Sequence, residues 1–157
     1  MAERVVLESR SEADTHRIGA QLATVLHGGE RIGLSGELGA GKTCLVRGLA
    51  QGLHIPPEVV RSPSFTLVVP YAGGRLPLYH IDLFRLRPEQ VDVEELREYL
   101  YGPGVCAIEW WERLGDGLQD FLEISLTFVG AETRRLVAAG HGVGYHHMLM
   151  ALRDVTR

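Results

Sequence analysis

The 157-residue chain contains no asparagine and a single lysine, Lys42; every other fixed basic side chain is arginine. Without asparagine the guanine-selecting N-K-x-D motif cannot be written, which excludes the GTPases that rely on it. The two cysteines, Cys44 and Cys106, are far apart and lie in segments that read as buried. Reduced thiols of a cytosolic protein are therefore expected. The chain lacks an N-terminal apolar h-region and any apolar stretch of the ~18 residues a membrane span needs, which speaks against secretion and membrane insertion. No basic run stands out either, and the formal net charge is −4. Such a chain lacks the electrostatic footprint for gripping nucleic acid unaided, so an RNA-related role would pass through a partner. What is present is 45% apolar content over 157 residues, enough for one globular domain with a sizeable core and too short for a second catalytic domain.

The lone lysine stands in Gly36-Glu37-Leu38-Gly39-Ala40-Gly41-Lys42-Thr43, which has the G-x-x-x-x-G-K-[ST] form of a phosphate-binding loop. Backbone N–H groups must turn inward around phosphate oxygens, and glycines tolerate the dihedrals and the close approach this demands. Lys42 supplies a compact, flexible point charge for the β- and γ-phosphates, and the Thr43 hydroxyl suits Mg2+. The helix that follows aims its N-terminal dipole at the same anions. The context fits: Arg31-Ile32-Gly33-Leu34-Ser35 reads as a buried strand, and Leu45, Val46, Leu49, Ala50 and Leu53 recur at helical spacing.

Before this unit, residues 4 to 7 suit a short strand, and Ser11-Glu12-Ala13-Asp14 has the form of a capping box opening a helix through Ile18, Leu22, Val25 and Leu26 that Gly28-Gly29 stops. After it, Pro56-Pro57 ends the loop helix, and a hydroxyl-rich loop, Ser62 to Thr66, precedes a β-rich run. Such a loop either contacts Mg2+ and the γ-phosphate or is a turn before an edge strand. Residues 66 to 71 and 76 to 82 predict an antiparallel hairpin, with Leu78, His80 and Asp82 on one face. Pro88 to Leu100 predicts an amphipathic helix whose acidic residues form a solvated face. Val105-Cys106-Ala107-Ile108 is the continuous apolar run of a central strand, ended by Glu109. A second hairpin spans Phe121 to Phe128 and Arg134 to Ala139, and a short helix through Met148, Leu149 and Leu152 closes the chain. His146-His147 has no partner at ligand spacing and reads as a polar surface pair. The pattern is that of a single-domain α/β P-loop NTPase over 1–157. Its central sheet is expected to be mixed and mostly parallel, with helices on both faces and antiparallel hairpin additions.

Ligands of open α/β sheets bind outside the carboxyl ends of the strands. Glu109 and Asp82 both end apolar runs there, and each competes with the other for holding Mg2+ or orienting an attacking water. A small-molecule or nucleotide kinase is compatible with the loop, with Arg85, Arg87 and Arg97 as conceivable phosphate clamps, yet no lid insertion with paired arginines is visible. A nucleotide-gated adaptor that modifies no small substrate is equally compatible with so short a domain.

Four segments in order, GELGAGKT, SPSFTLV, YHIDLFRL and IEWWERL, make residues 11 to 140 resemble the TsaE (YjeE) family, small bacterial ATPases of tRNA threonylcarbamoyladenosine biosynthesis. The resemblance implies a cytoplasmic protein that binds ATP with Mg2+, hydrolyses it weakly alone and acts with TsaD and TsaB. That complex attaches threonylcarbamoyl to the adenosine 3′ of the anticodon in tRNAs reading codons that begin with A, and tRNA is met through the complex. By the same resemblance the nucleotide cradle is Glu37, Leu38, Gly39, Ala40, Gly41, Lys42, Thr43 and Cys44. Glu109 and Asp82 are the family's two acids, acting with Lys42 in turnover and with Thr43 at the metal. Ser62 to Thr66 form a switch-like loop. Trp110 lies near the nucleotide, Ser11, Glu12 and Thr15 match the segment approaching the base, and Arg135 matches a basic position in the second hairpin. The chain departs from the commonest family forms at Cys44, where Thr is usual, and at Trp111, where Pro is usual.

Overall fold

A computed structural model describes residues 3–37, 39–61 and 67–155. Among these residues seven strands make one sheet: β1 (Arg4–Ser9), β2 (Arg31–Gly36), β3 (Val68–Tyr71), β4 (Leu78–Asp82), β5 (Val105–Glu109), β6 (Phe121–Phe128) and β7 (Arg134–His141), in the order β1-β7-β6-β2-β5-β4-β3. The middle strands β6, β2, β5 and β4 are mutually parallel, while β1–β7, β6–β7 and β3–β4 pair antiparallel. Both predicted hairpins are therefore present, one at each edge of a parallel centre.

Helices cover both faces. On one side α1 (Glu12–Ala23), α2 (Lys42–Gly52) and α4 (His146–Val155) pack over Leu34, Ala107, Leu122 and Ile124; on the other, α3 (Val93–Leu100) and the 3-10 segment Trp111–Gly117 cover Ile81, Cys106, Ile108 and Phe121. Alternation along the strands sorts the side chains. Leu78 and Val105 belong to the α2 face, so His80, Asp82, Ala107 and Glu109, at even spacings from them, face the same way.

Two helices differ from the sequence expectation. α1 ends at Ala23, because Thr24, Val25 and Leu26 tighten into i to i+3 hydrogen bonds before the glycines. The acidic helix is broken in two: Pro88–Gln90 is a 3-10 turn, and Asp92 restarts the chain by accepting from the amides of Glu94 and Glu95. The restart leaves first-turn amides without helical partners, and the Asp92 carboxylate satisfies two of them.

α1 and α2 touch through backbone. A Cβ built on Gly48 would lie 2.1 Å from the carbonyl oxygen of His16, and one on Gly19 would lie 2.5 Å from that of Leu45. This close approach holds Ser11 and Thr15, at the start of α1, beside the start of α2. Among the described residues no helix is long and apolar enough to cross a membrane. Helix propensity alone would make Gly48→Ala stabilising by ~1 kcal/mol. We expect the opposite sign, a loss of about 1–3 kcal/mol from overpacking, read as a lower urea midpoint at unchanged slope.

Candidate nucleotide site

The loop between β2 and α2 is built by glycine. Gly36, Gly39 and Gly41 have φ of 152°, 81° and 111°, of which the last two lie well inside the region a side chain resists. Gly41 is the N-cap residue of α2 and makes no side-chain capping bond, so the first-turn amides keep their donors for an anion. Ala40 is buried beneath the turn and its amide closes on the Glu37 carbonyl at 3.0 Å. Glu37 and Gly39 are exposed on the rim, Thr43 and Cys44 are half-buried, and Leu38 lies outside the described residues.

Lys42 reaches across to β5. Its Nζ stands 3.5 Å from Oε1 of Glu109, and the other carboxylate oxygen, Oε2, is 2.6 Å from Nε2 of His80. His80 is fully buried, Glu109 is 5% exposed, and both are aimed at α2 by the strand alternation described above. Burial pushes the Glu109 carboxyl up, but the His80 hydrogen bond and charge, with Lys42 beside it, outweigh this and hold it below the usual glutamate range.

Asp82 is the in-register neighbour of Glu109 across the parallel β4–β5 pair. Its Oδ1 accepts from the Phe84 amide at 2.9 Å. Burial, reinforced by the Glu109 charge and opposed by that amide, pushes its carboxyl above the ordinary range. Two acids one strand apart are thus moved in opposite directions, the arrangement by which sites divide labour between carboxyls.

Thr15 is fully buried and closes a small network with Ser9 Oγ at 2.7 Å and the Ser11 carbonyl at 3.3 Å; its methyl lies 3.6 Å from where a Gly41 Cβ would be. Ser11 caps α1 by accepting from the Asp14 amide, and Cys44 Sγ donates to the Glu12 carbonyl. These contacts set the segment from Ser11 to Thr15 against the loop. The thiol of Cys44 is pushed up, chiefly by burial, so it is a packing group here.

Arg135, assigned to this site from sequence, is exposed and points to the far face of the sheet. Its neighbour Arg134 faces the loop instead: it is 7% exposed, and its Nε lies 3.5 Å from the Gly41 Cβ position without a partner among the described residues. The correction is one of strand parity, since Arg134, Leu136 and Ala138 share the α2 face. Arg87 and Arg97, weighed as phosphate clamps, pair instead with the exposed Glu89 and Glu94.

The two tryptophans divide at the end of β5. Trp110 turns left-handed, with φ 59°, and stands on the rim between the Phe84 ring at 5.4 Å and the Arg113 guanidinium at 4.6 Å. Trp111 goes under the sheet, where it touches the space above Gly33 and donates to Ser35 Oγ at 2.9 Å. With Leu34, Ser35, Gly36, Lys42 and Glu112, Trp110 lines an open cleft at the head of β2. The hydroxyl-rich residues Ser62 to Thr66 lie outside the described residues. Sequence reasoning missed the His80–Glu109 bond and Arg134; the shared face of His80 and Asp82 was the signal available for the first.

Both the sequence and the fold have known relatives. The chain is 45% identical over 118 residues to a tRNA threonylcarbamoyladenosine biosynthesis protein TsaE of Nostoc, covering 73% of this chain and 72% of that one. It is 43% identical over 134 residues to the TsaE protein of Treponema pallidum, covering 83% and 97%. The crystal structure of Bacillus subtilis YdiB superposes with a TM-score of 0.79 at 29% identity, covering 100% and 97% of the two chains. Residues 9–136 match the family described as threonylcarbamoyl adenosine biosynthesis protein TsaE, and the chain belongs to that family.

Proposed function

We propose that this protein is a Mg2+-dependent ATPase of tRNA threonylcarbamoyladenosine biosynthesis, working in the cytoplasm with TsaD and TsaB and meeting tRNA through them. The carrying observation is the glycine-turned loop at the head of a central parallel strand, with an uncapped helix N-terminus and the Lys42 ammonium resting on a buried Glu109. The pathway reading is supported by family membership and by the relatives' descriptions.

The residues fit a Mg-nucleotide. The left-handed glycines leave a cradle that a Cβ would fill, and Arg134 keeps a buried donor toward it. Thr43, Glu109 and Asp82 would hold the ion, which supplies charge neutralisation on the terminal phosphate oxygens. With ATP bound, Lys42 would turn from Glu109 to the β- and γ-phosphates, leaving free one oxygen of a carboxylate that is held ionised. His80 keeps the other oxygen and so fixes the carboxylate's orientation while its partner changes. Glu109 is then placed to orient the attacking water or hold the metal through it. Trp110 and Phe84 offer an aromatic rim for the base or for a partner protein.

Lys42→Ala is expected to weaken ATP binding by ~10- to 100-fold, the loss of about 1.5–3 kcal/mol of charge-assisted bonding, measured by fluorescent-nucleotide titration. Glu109→Gln should instead retain ATP while turnover falls by ~100-fold or more. Normal ATP affinity in Lys42→Ala would refute the phosphate assignment.

The His80 bond predicts a pH effect with a definite sign. Glu109 is held low in the folded chain, so its ionised form favours folding above the ordinary glutamate range, and that contribution is lost as pH falls through the lower folded value. Asp82 has the opposite sign, its raised value favouring the fold in acid. In His80→Ala, burial of Glu109 remains while its strongest compensation is gone. The acid limb of ATPase activity should therefore move to higher pH, and a carboxyl-carbon NMR titration of Glu109 should move with it. An unshifted titration would remove His80 from this role.

The pathway reading is tested by mixing the purified protein with TsaD and TsaB and following complex formation with and without ATP, alongside nucleoside analysis of tRNA after depletion. Complex formation promoted by ATP in wild type and lost in Lys42→Ala is the expected result. Transfer of the γ-phosphate to a small acceptor other than water would reject it.

A further inference from the structure

At the opposite end of β2 from the nucleotide loop, about 20 Å away at ~3.3 Å per strand residue, a second buried carboxylate meets two imidazoles. Glu30 is 5% exposed and is held in place by backbone: Oε1 accepts from the Gly28 amide at 2.8 Å and Oε2 from the His27 amide at 3.0 Å. The turn that folds it back depends on Gly28, which has φ 108° and whose Cβ would strike the Pro103 carbonyl at 2.5 Å. The same Oε2 faces Nε2 of His147, from α4, at 2.9 Å and Nε2 of His27 at 3.4 Å. The two rings are stacked, with centroids 4.7 Å apart and planes 21° apart. The reading of His146-His147 as a polar surface pair is thereby corrected for His147, whose partners come from a loop more than a hundred residues earlier in the chain.

We propose that His27, Glu30 and His147 form a site for a borderline divalent cation of the zinc class. Among the described residues this is the one group of three such side chains whose donor atoms converge, all within 4.8 Å of one another. Tetrahedral zinc at ~2.0–2.1 Å from its ligands sets donors about 3.4 Å apart, close to the separations Glu30 makes with each ring. Two imidazoles and a carboxylate select zinc over Mg2+, which prefers an all-oxygen octahedral shell. The amides of His27 and Gly28 are the supporting shell a ligating carboxylate needs, so the least mobile ligand is already oriented. His27, whose side chain is 73% exposed, is free to rotate out of the stack and turn its nitrogen to the ion. His147 supplies the second nitrogen from a helix that docks on α1, β1 and β7. The ion would join the C-terminal helix to the loop before β2, with the fourth position open to water.

Binding to the folded chain alone raises its stability by mass action. The test uses the full chain, stripped with chelator and free of nucleotide. Zn2+ is titrated in competition with a chromophoric chelator, and Co2+ replaces it for visible d–d spectra. The expected result is one Zn2+ per chain, four-coordinate Co2+ bands, and a thermal midpoint raised by Zn2+ and unmoved by Mg2+. His27→Ala and His147→Ala should each weaken the Zn2+ affinity by ~100-fold or more, with Mg-ATP affinity unchanged. His27→Ala removes an exposed ring, so a far-UV melt matching metal-free wild type confirms that it folds. A tight zinc site retained in either variant, or a wild-type chain that cannot compete with a micromolar chelator, overturns the proposal.

Discussion

A carboxylate buried at the end of a central strand has to be compensated, and the way Glu109 is compensated organises the head of this sheet. Its oxygens have two different partners. The His80 ring is locked in the core on the next strand, whereas the Lys42 ammonium sits on a flexible stem at the start of α2. Removing a partner from a buried charge is costly, so Lys42 and Glu109 each hold the other in place. The parallel register of β4 on β5 then adds Asp82 beside Glu109, and repulsion between them helps separate their ionisation.

Geometry at the loop depends on packing farther away. α1 rides on α2 with so little space that glycines on both helices meet backbone carbonyls, and this closeness brings buried Thr15 against Gly41. The position of Cys44 follows from it, because the thiol of the second residue after Lys42 bonds the carbonyl at the first turn of α1. On the other face Trp111 fills the space over Gly33 and ties β5 to Ser35, which frees Trp110 to stand in the rim. The Trp-Trp pair is thus one structural and one exposed side chain, produced by a single left-handed residue.

Much of this was legible in the sequence because it is local. The glycine spacing and the lone lysine identify the loop, and apolar runs ended by Asp82 and Glu109 place both acids at strand ends. The two hairpins follow from turn residues between alternating runs, and period two put His80 and Asp82 on one face. What escaped depends on the third dimension. Which arginine of Arg134-Arg135 faces the loop is a question of parity against β6 and β1, and a family resemblance at one-residue precision cannot settle it. The break before α3 required weighing a proline turn against an aspartate cap. His147 is more than a hundred residues from His27 and Glu30 in the chain, and only the docking of α4 brings the three together.

β2 therefore runs between two buried glutamates, and comparing them shows why they suit different tasks. Glu109 relies on side chains for both oxygens, one immobile and one mobile, so its environment changes when Lys42 leaves. Glu30 relies on backbone amides, which cannot leave, and the imidazoles are added to a carboxylate that is already fixed. At the loop end, the proposed exchange of a charge partner would uncover an ionised oxygen for chemistry. At the other end, the carboxylate keeps its orientation whichever imidazoles or ions approach it, as a fastening point for the C-terminal helix requires. The same residue type, buried to the same extent at opposite ends of the sheet's centre, is a responsive group where its partners are flexible and an anchoring group where they are main chain.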